Sequence, residues 1–99
     1  RELHTVNLNS TGYDGNVFAF ARWSPDQQVL VASNFSADKG KSFDLKLSSM
    51  IADWGLGQGA YEFRDVFTGA TYTVTVSGTS AGTPLNLAPL QSVILVRNP

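Results

Sequence analysis

Tyr61-Glu62-Phe63-Arg64-Asp65-Val66-Phe67-Thr68-Gly69-Ala70-Thr71-Tyr72-Thr73-Val74-Thr75-Val76 holds two β-favouring runs joined by a turn signal. In the first run Tyr61, Phe63, Asp65 and Phe67 alternate with Glu62, Arg64 and Val66, the period of two expected of a half-buried strand. The second run, Tyr72 to Val76, is β-branched and aromatic, which suits a pleated surface. Thr68-Gly69 reads as a tight two-residue connection, with Gly69 able to take a positive φ. The stretch predicts a hairpin.

The same spelling continues in both directions. Upstream, Phe43, Leu45 and Leu47 alternate with Asp44, Lys46 and Ser48, giving one buried and one wet face. Val29 to Phe35 is more continuously apolar, as a central strand often is. Val17 to Trp23 forms another strand and ends at Ser24-Pro25-Asp26, where the proline presets the angle of a type I turn. Before the loop residues 9–15, Leu3 to Leu8 alternates as well. Downstream, Ser77 to Pro84 reads as a Gly/Ser/Thr loop, Leu85 and Leu87 as a brief strand broken by Pro89, and Val93 to Val96 as a last strand with Ile94 in the core. The exception is Ser48 to Gly59. Met50, Ile51 and Trp54 sit at helical spacing, with Ser48 or Ser49 as a cap, but Gly55, Gly57 and Gly59 limit the helix to a single turn. About eight short strands without βαβ alternation predict an all-β fold: one antiparallel β-sandwich domain over residues 1–99, with Greek-key connections.

Composition narrows the function classes. The chain has 99 residues, the size of one domain. It is 42% hydrophobic and 15% charged, enough for a packed core and too apolar for a disordered segment. Seven basic residues against eight acidic ones leave a net charge of -1, without the footprint of a nucleic-acid binder. No apolar run is long enough to span a bilayer. The absence of cysteine removes disulfides, thiolate metal sites and thiol catalysis, and leaves the redox compartment open. Arg1-Glu2-Leu3-His4 makes an abrupt start, which reads as a piece cut from a longer polypeptide.

Few residues here are placed for chemistry. His4 is the single histidine, so a catalytic triad would have to use it, and no nucleophile elbow accompanies it. One histidine also excludes a multi-histidine zinc site. Among the carboxylates a glycosidase would need, Asp26 and Asp38 look like turn formers, and Asp44 and Glu62 lie on wet faces. Asp65 falls on the apolar side beside Tyr61, Phe63 and Phe67. It is expected to accept N–H bonds from the following turn or to pair with Arg64 or Arg22. No catalytic residue, cofactor or metal ligand is assigned. Trp23 and Trp54 are the candidate carbohydrate-binding residues, as exposed indoles on which a pyranose ring could stack; the alternative is that they close the ends of the core or face a neighbouring domain. Asn9-Ser10-Thr11 and Asn34-Phe35-Ser36 match the N-glycosylation sequon.

Four runs taken in order, Val17–Arg22, Val29–Ser36, Tyr61–Gly69 and Leu85–Leu95, resemble the C-terminal β-sandwich domain (domain C) of the α-amylase superfamily of glycoside hydrolases. That family typically shows an aromatic-rich strand ending in Arg, a strand running into an Asn-Phe/Leu-Ser turn, an Asp followed by two apolar residues and Thr-Gly, and a last apolar strand after a proline turn. Two departures are Phe67 where Leu is commoner, and Ala88-Pro89-Leu90-Gln91 in place of Pro-Pro-aromatic-Gly. The resemblance implies a non-catalytic domain that stabilises an upstream (β/α)₈ barrel of the same polypeptide. The family's catalytic carboxylates and calcium ligands belong to that barrel, so none is carried onto this chain. The barrel is the partner it implies, with α-glucan as a further ligand. Two rival readings stay open: a carbohydrate-binding module stacking α-glucan on Trp23, Trp54 or Tyr13, and an adhesion-type sandwich binding protein partners. The second leaves the Asp65–Gly69 and Asn34–Ser36 turns unexplained.

Overall fold

The computed structural model describes residues 4–7, 17–24 and 26–97. Eight antiparallel strands appear among them: β1 (His4–Asn7), β2 (Val17–Ser24), β3 (Gln27–Asn34), β4 (Lys41–Lys46), β5 (Gly59–Asp65), β6 (Thr71–Ser77), β7 (Ser80–Leu87) and β8 (Ser92–Arg97). They form one hydrogen-bonded sheet in the order β1-β2-β3-β8-β5-β6-β7-β4. Its middle seam is short. Arg64 pairs with Val96 and Asp65 with Leu95, whereas β2 and β3 pair over their whole lengths. The sheet thus divides into two four-stranded halves, and the buried residues of both, Ala21, Leu30 and Leu95 from one and Leu45, Phe63 and Val74 from the other, join a single core. The all-β expectation holds, in the form of a sandwich whose two layers are continuous along one edge. In the second half β5, β6 and β7 are successive hairpins and β4 returns beside β7, which is a Greek key.

Alternation sets the core. Val17, Ala19 and Ala21 of β2, Leu30 and Ala32 of β3, and Val93 and Leu95 of β8 are buried, as are Val74 and Val76 of β6 and Leu85 and Leu87 of β7. The link from β4 to β5 closes one end of the sandwich. A 3₁₀ turn, Ser48–Met50, runs into a single helical turn, α1 (Ile51–Trp54), and buries Met50, Trp54 and Leu56. Ser48 does not act as the expected cap: its hydroxyl accepts the Ala81 N–H at 3.0 Å instead. The loop 9–15, Pro25, Tyr13 and the Asn9 sequon lie outside the described residues.

Three local expectations are corrected. Ser77 to Pro84 is not a loop: β6 and β7 continue to the pair Ser77–Ser80, and Gly78-Thr79 is the two-residue turn of a hairpin. Pairing with β6 stops at Gly82, two residues before Pro84, which has no N–H for the ladder. Gly82 is fixed by space, because a Cβ there would lie 2.9 Å from the Leu45 carbonyl oxygen on β4. The β5–β6 connection is longer than the expected Thr68-Gly69 pair. The Asp65 N–H donates to the Ala70 carbonyl and the Gly69 N–H to that of Asp65, each at 2.8 Å, so four residues intervene. Ile94, expected in the core, is half-buried on the opposite face, because Val93 and Leu95 point inward.

Facing therefore predicts unequal losses along β8. Leu95→Ala is expected to cost about 3 kcal/mol, within the range for a filled core position, and Ile94→Ala only about 1 kcal/mol, since part of its surface stays wet in the fold. Denaturant unfolding of both variants checks the order, and a larger loss for Ile94→Ala would refute the assigned facing.

Candidate functional site

The outer faces of the two half-sheets differ in chemistry. On β5, β6, β7 and β4 the outward residues are Glu62, Thr73, Thr75, Ser77, Asn86 and Asp44, all exposed, as one wet side of an antiparallel sheet should be. On β2, β3 and β8 the outward positions are apolar in the middle and mixed with Arg22, Ser33 and Ser92 toward the ends. Phe20, Val31 and Ile94 stand in one cross-strand row, Arg22, Val29 and Val96 in the next, and Phe18 heads a third row with Ser33 and Ser92. Phe20, Val29, Val31, Ile94 and Val96 are half-buried, and Phe18 is exposed with its ring 5.6 Å from that of Phe20. Phe20, Arg22, Val29, Val31 and Ile94 also line one shallow, solvent-open depression. This face is the candidate interaction surface of the domain.

The border of this face is apolar too. Phe35 follows the end of β3 and is 61% exposed, and Leu90 in the β7–β8 connection is 65% exposed. Val66 and Phe67 in the β5–β6 loop are also exposed, and the Val66 N–H bonds the Ile94 carbonyl at 2.9 Å. The position of Phe67 corrects the alternation reading, which put it on the apolar inner side. Asp65 ends the strand early. Its carboxylate accepts the Phe67 N–H at 3.3 Å and the Thr68 hydroxyl at 2.9 Å, a local turn that rotates the chain outward after Asp65.

Asp65 itself is 1% exposed. Besides the turn, its Oδ1 accepts the Ile94 N–H from β8 at 3.4 Å. Of the roles left open for it, acceptor of turn N–H bonds is the one it fills. Asn34 is equally buried and makes more bonds. Its Nδ2 donates to the carbonyls of Lys39 (2.8 Å), Ala88 (3.2 Å) and Leu87 (3.3 Å), and its Oδ1 accepts the Ser36 N–H at 2.9 Å. A side chain so engaged has no room for a glycan, so the Asn34 sequon is a structural turn. These hydrogen-bond centres were only partly visible in the sequence: Asp65 through its odd place in an apolar alternation, Asn34 as part of a turn motif.

The two tryptophans come together inside the domain. Trp54 is 8% exposed, stacks on Phe63 with centroids 6.0 Å apart, and meets Trp23 edge to face at 6.0 Å. Its indole N–H is buried without a partner among the described residues, so the ring is held by packing. Trp54 is thus buried, with its ring against Phe63 and Trp23. Trp23 is half-buried against the same core and borders the depression of Phe20 and Val31. His4 lies on β1, and its side chain is outside the described residues. Among the described residues no cluster of three or more His, Cys, Asp or Glu able to hold a metal occurs, and no helix is long and apolar enough to cross a membrane.

The Asn34 arrangement predicts an unusual response to a near-isosteric change. Asn34→Asp replaces a donor by an anion facing three carbonyl oxygens, so it is expected to destabilise at least as much as Asn34→Ala, by about 3 kcal/mol. The charged form is the one disfavoured in the fold, so stability should return as the pH falls and the new carboxyl protonates. Urea unfolding of both variants at neutral and acid pH tests this, and an Asn34→Asp variant as stable as the parent would refute it.

Residues 8–98 match the family described as alpha amylase, C-terminal all-beta domain. None of the curated proteins matches the chain. Among solved structures, a variant of AmyP in complex with maltotriose superposes with a TM-score of 0.62 at 18% identity, covering 94% of this chain and 16% of that one. AmyP in complex with maltose gives 0.61 at 16% identity, with the same coverage. The chain thus spans about one sixth of the length of these neighbours, which share its fold. The match over almost all of its residues places the chain in the alpha-amylase C-terminal all-beta domain family.

Proposed function

We propose that this chain is the non-catalytic C-terminal domain of an α-glucan-acting glycoside hydrolase, and that it stabilises an upstream (β/α)₈ catalytic barrel of the same polypeptide. The observation that carries the reading is the family match over residues 8–98. The asymmetry of the two sheet faces supports it. A free-standing sandwich has no use for Phe18, Phe20, Val31 and Ile94 on an outer face, whereas a domain packed on a neighbour buries them. Removing apolar surface from water on both partners stabilises both, at about 25 cal/mol for each Å². In this reading hydrolysis belongs to the barrel.

In the polypeptide that carries this chain at its C-terminus, Val31→Glu is expected to lower the unfolding temperature of the catalytic portion by several degrees, because it places a charge in the apolar contact. Calorimetry reads this, and a catalytic portion that unfolds at an unchanged temperature would refute the packing role. The purified 99-residue chain is expected to release no reducing sugar from starch. A maltoheptaose titration is expected to leave both indole N–H signals in place. A saturable shift at Trp23 would favour the carbohydrate-binding reading instead.

A further inference from the structure

Leu90 has a backbone conformation that its residue type does not favour. Its φ is +60°, and it is the one non-glycine residue with positive φ among those described. It occupies the third position of a turn over residues 88–91, closed by the Gln91 N–H on the Ala88 carbonyl at 3.0 Å, with Pro89 second. That is the pattern of a type II turn, whose third position normally takes glycine because a Cβ is strained there. For leucine the left-handed region costs about 1–3 kcal/mol. The turn is nevertheless held from several sides. The Leu90 N–H donates to the Ser36 carbonyl at 3.0 Å, the Asn34 N–H to the Gln91 carbonyl at 2.9 Å, and the Ala88 N–H to Gln91 Oε1 at 2.7 Å. Strain of this kind persists only where the surroundings impose it.

The side chain that causes the strain lies outside the core formed by the described residues. Leu90 is 65% exposed, so its burial offsets little, and glycine would serve the turn better. Its neighbour across the Leu90–Ser36 bond is the connection that carries Phe35, 61% exposed and directly after Asn34, the last residue of β3, which belongs to the sheet that bears the apolar face. We infer that Leu90 and Phe35 form a projecting anchor at the border of this face, which inserts into an apolar recess of the catalytic portion of the same polypeptide. This rests on the packing role proposed above. The occupant follows from what lies outside the chain: in the neighbours of the same fold, this domain accounts for 16% of the length. The flat rows of Phe20 and Val31 supply area, and the rigid, pre-set turn supplies a knob that fixes where the domain sits. A pre-organised anchor loses little freedom on docking, and such buried side chains carry most of the energy of an interface.

The two effects of Leu90 have opposite signs and can be separated. In the 99-residue chain alone, Leu90→Gly relieves the strain and is expected to leave the denaturation midpoint equal or raised, while Leu90→Ala keeps the strain and leaves it unchanged. Association is then measured by titration calorimetry with the catalytic portion produced separately. Both Leu90 variants are expected to bind at least tenfold more weakly than the parent chain, and so is Val31→Glu. Parent-like binding by the Leu90 variants, with Val31→Glu still weakened, overturns the anchor and leaves the packing role standing. No association by the parent chain overturns both. A clear destabilisation of the isolated chain by Leu90→Ala also overturns the anchor, since the side chain would then be working within the domain.

Discussion

Two buried polar side chains hold this sheet in its folded-over form. The seam between the half-sheets contains only two residue pairs, Arg64–Val96 and Asp65–Leu95. Left to backbone pairing alone, so short a ladder would let the halves splay. Asp65 sits on it, fully buried, and its carboxylate takes an N–H from β8 on one side and the N–H and hydroxyl of its own turn on the other. Asn34 does the same where the chain crosses between halves. Its amide reaches Lys39, at the far end of the β3–β4 crossing, and Leu87 and Ala88, where β7 gives way to the crossing into β8. Each buried bond of this kind contributes only about 1 kcal/mol net, or 1.5–3 where the acceptor is charged, but an orphaned partner costs more than the bond gains. The geometry of the sandwich is therefore specified by two residues out of proportion to their number, and the apolar core fills the space they define.

That division explains what could be read from the sequence. The strands were legible because alternation reports burial directly: Phe43 to Ser48 and Tyr72 to Val76 could scarcely pack otherwise. The turns were less so, because their lengths depend on side-chain bonds with no period. Asp65 bends the chain after one residue, and so Phe67 is exposed although the alternation continued through it. Gly78-Thr79 is hidden in a run of small residues that reads as loop, and only the pairing of Ser80 to Gly82 with β6, followed by that of Gly82 to Leu87 with the distant β4, makes β7 a strand. Facing in β8 is hidden for a related reason. Val93-Ile94-Leu95-Val96 is apolar at every position, and when both faces of a strand are apolar, alternation cannot say which one meets the core. The burial of Trp54 likewise depends on Phe63 and Trp23, which the fold brings together from separate strands.

The uniform apolarity that obscured the facing of β8 is itself the functional signal. A strand covered by its own domain on one side needs apolar residues at every second position only. Ile94 and Val96, with Val29 and Val31 beside them and Phe18 and Phe20 one strand further, supply the other half, and the Thr- and Ser-rich face of β6 shows that the same chain writes a wet face when it needs one. Function on a scaffold is decided by a site, and the candidate site here is a sheet face whose outward rows carry Phe20, Val31 and Ile94.

The interior clamp and the exposed border are mechanically one unit. The side chain of Asn34 binds the Ala88 carbonyl and its backbone N–H binds that of Gln91, while Oδ1 fixes the Ser36 N–H, whose residue in turn accepts the Leu90 N–H. Every backbone group that holds Leu90 in its left-handed conformation is thus within one or two bonds of the same buried amide. A flexible connection would let Leu90 relax to negative φ and lose its projection, and a glycine would relieve the turn but present no side chain. A buried polar centre is what makes the strained leucine tenable, so the residue that closes the crossing between the half-sheets also sets where the exposed Leu90 side chain projects from the domain.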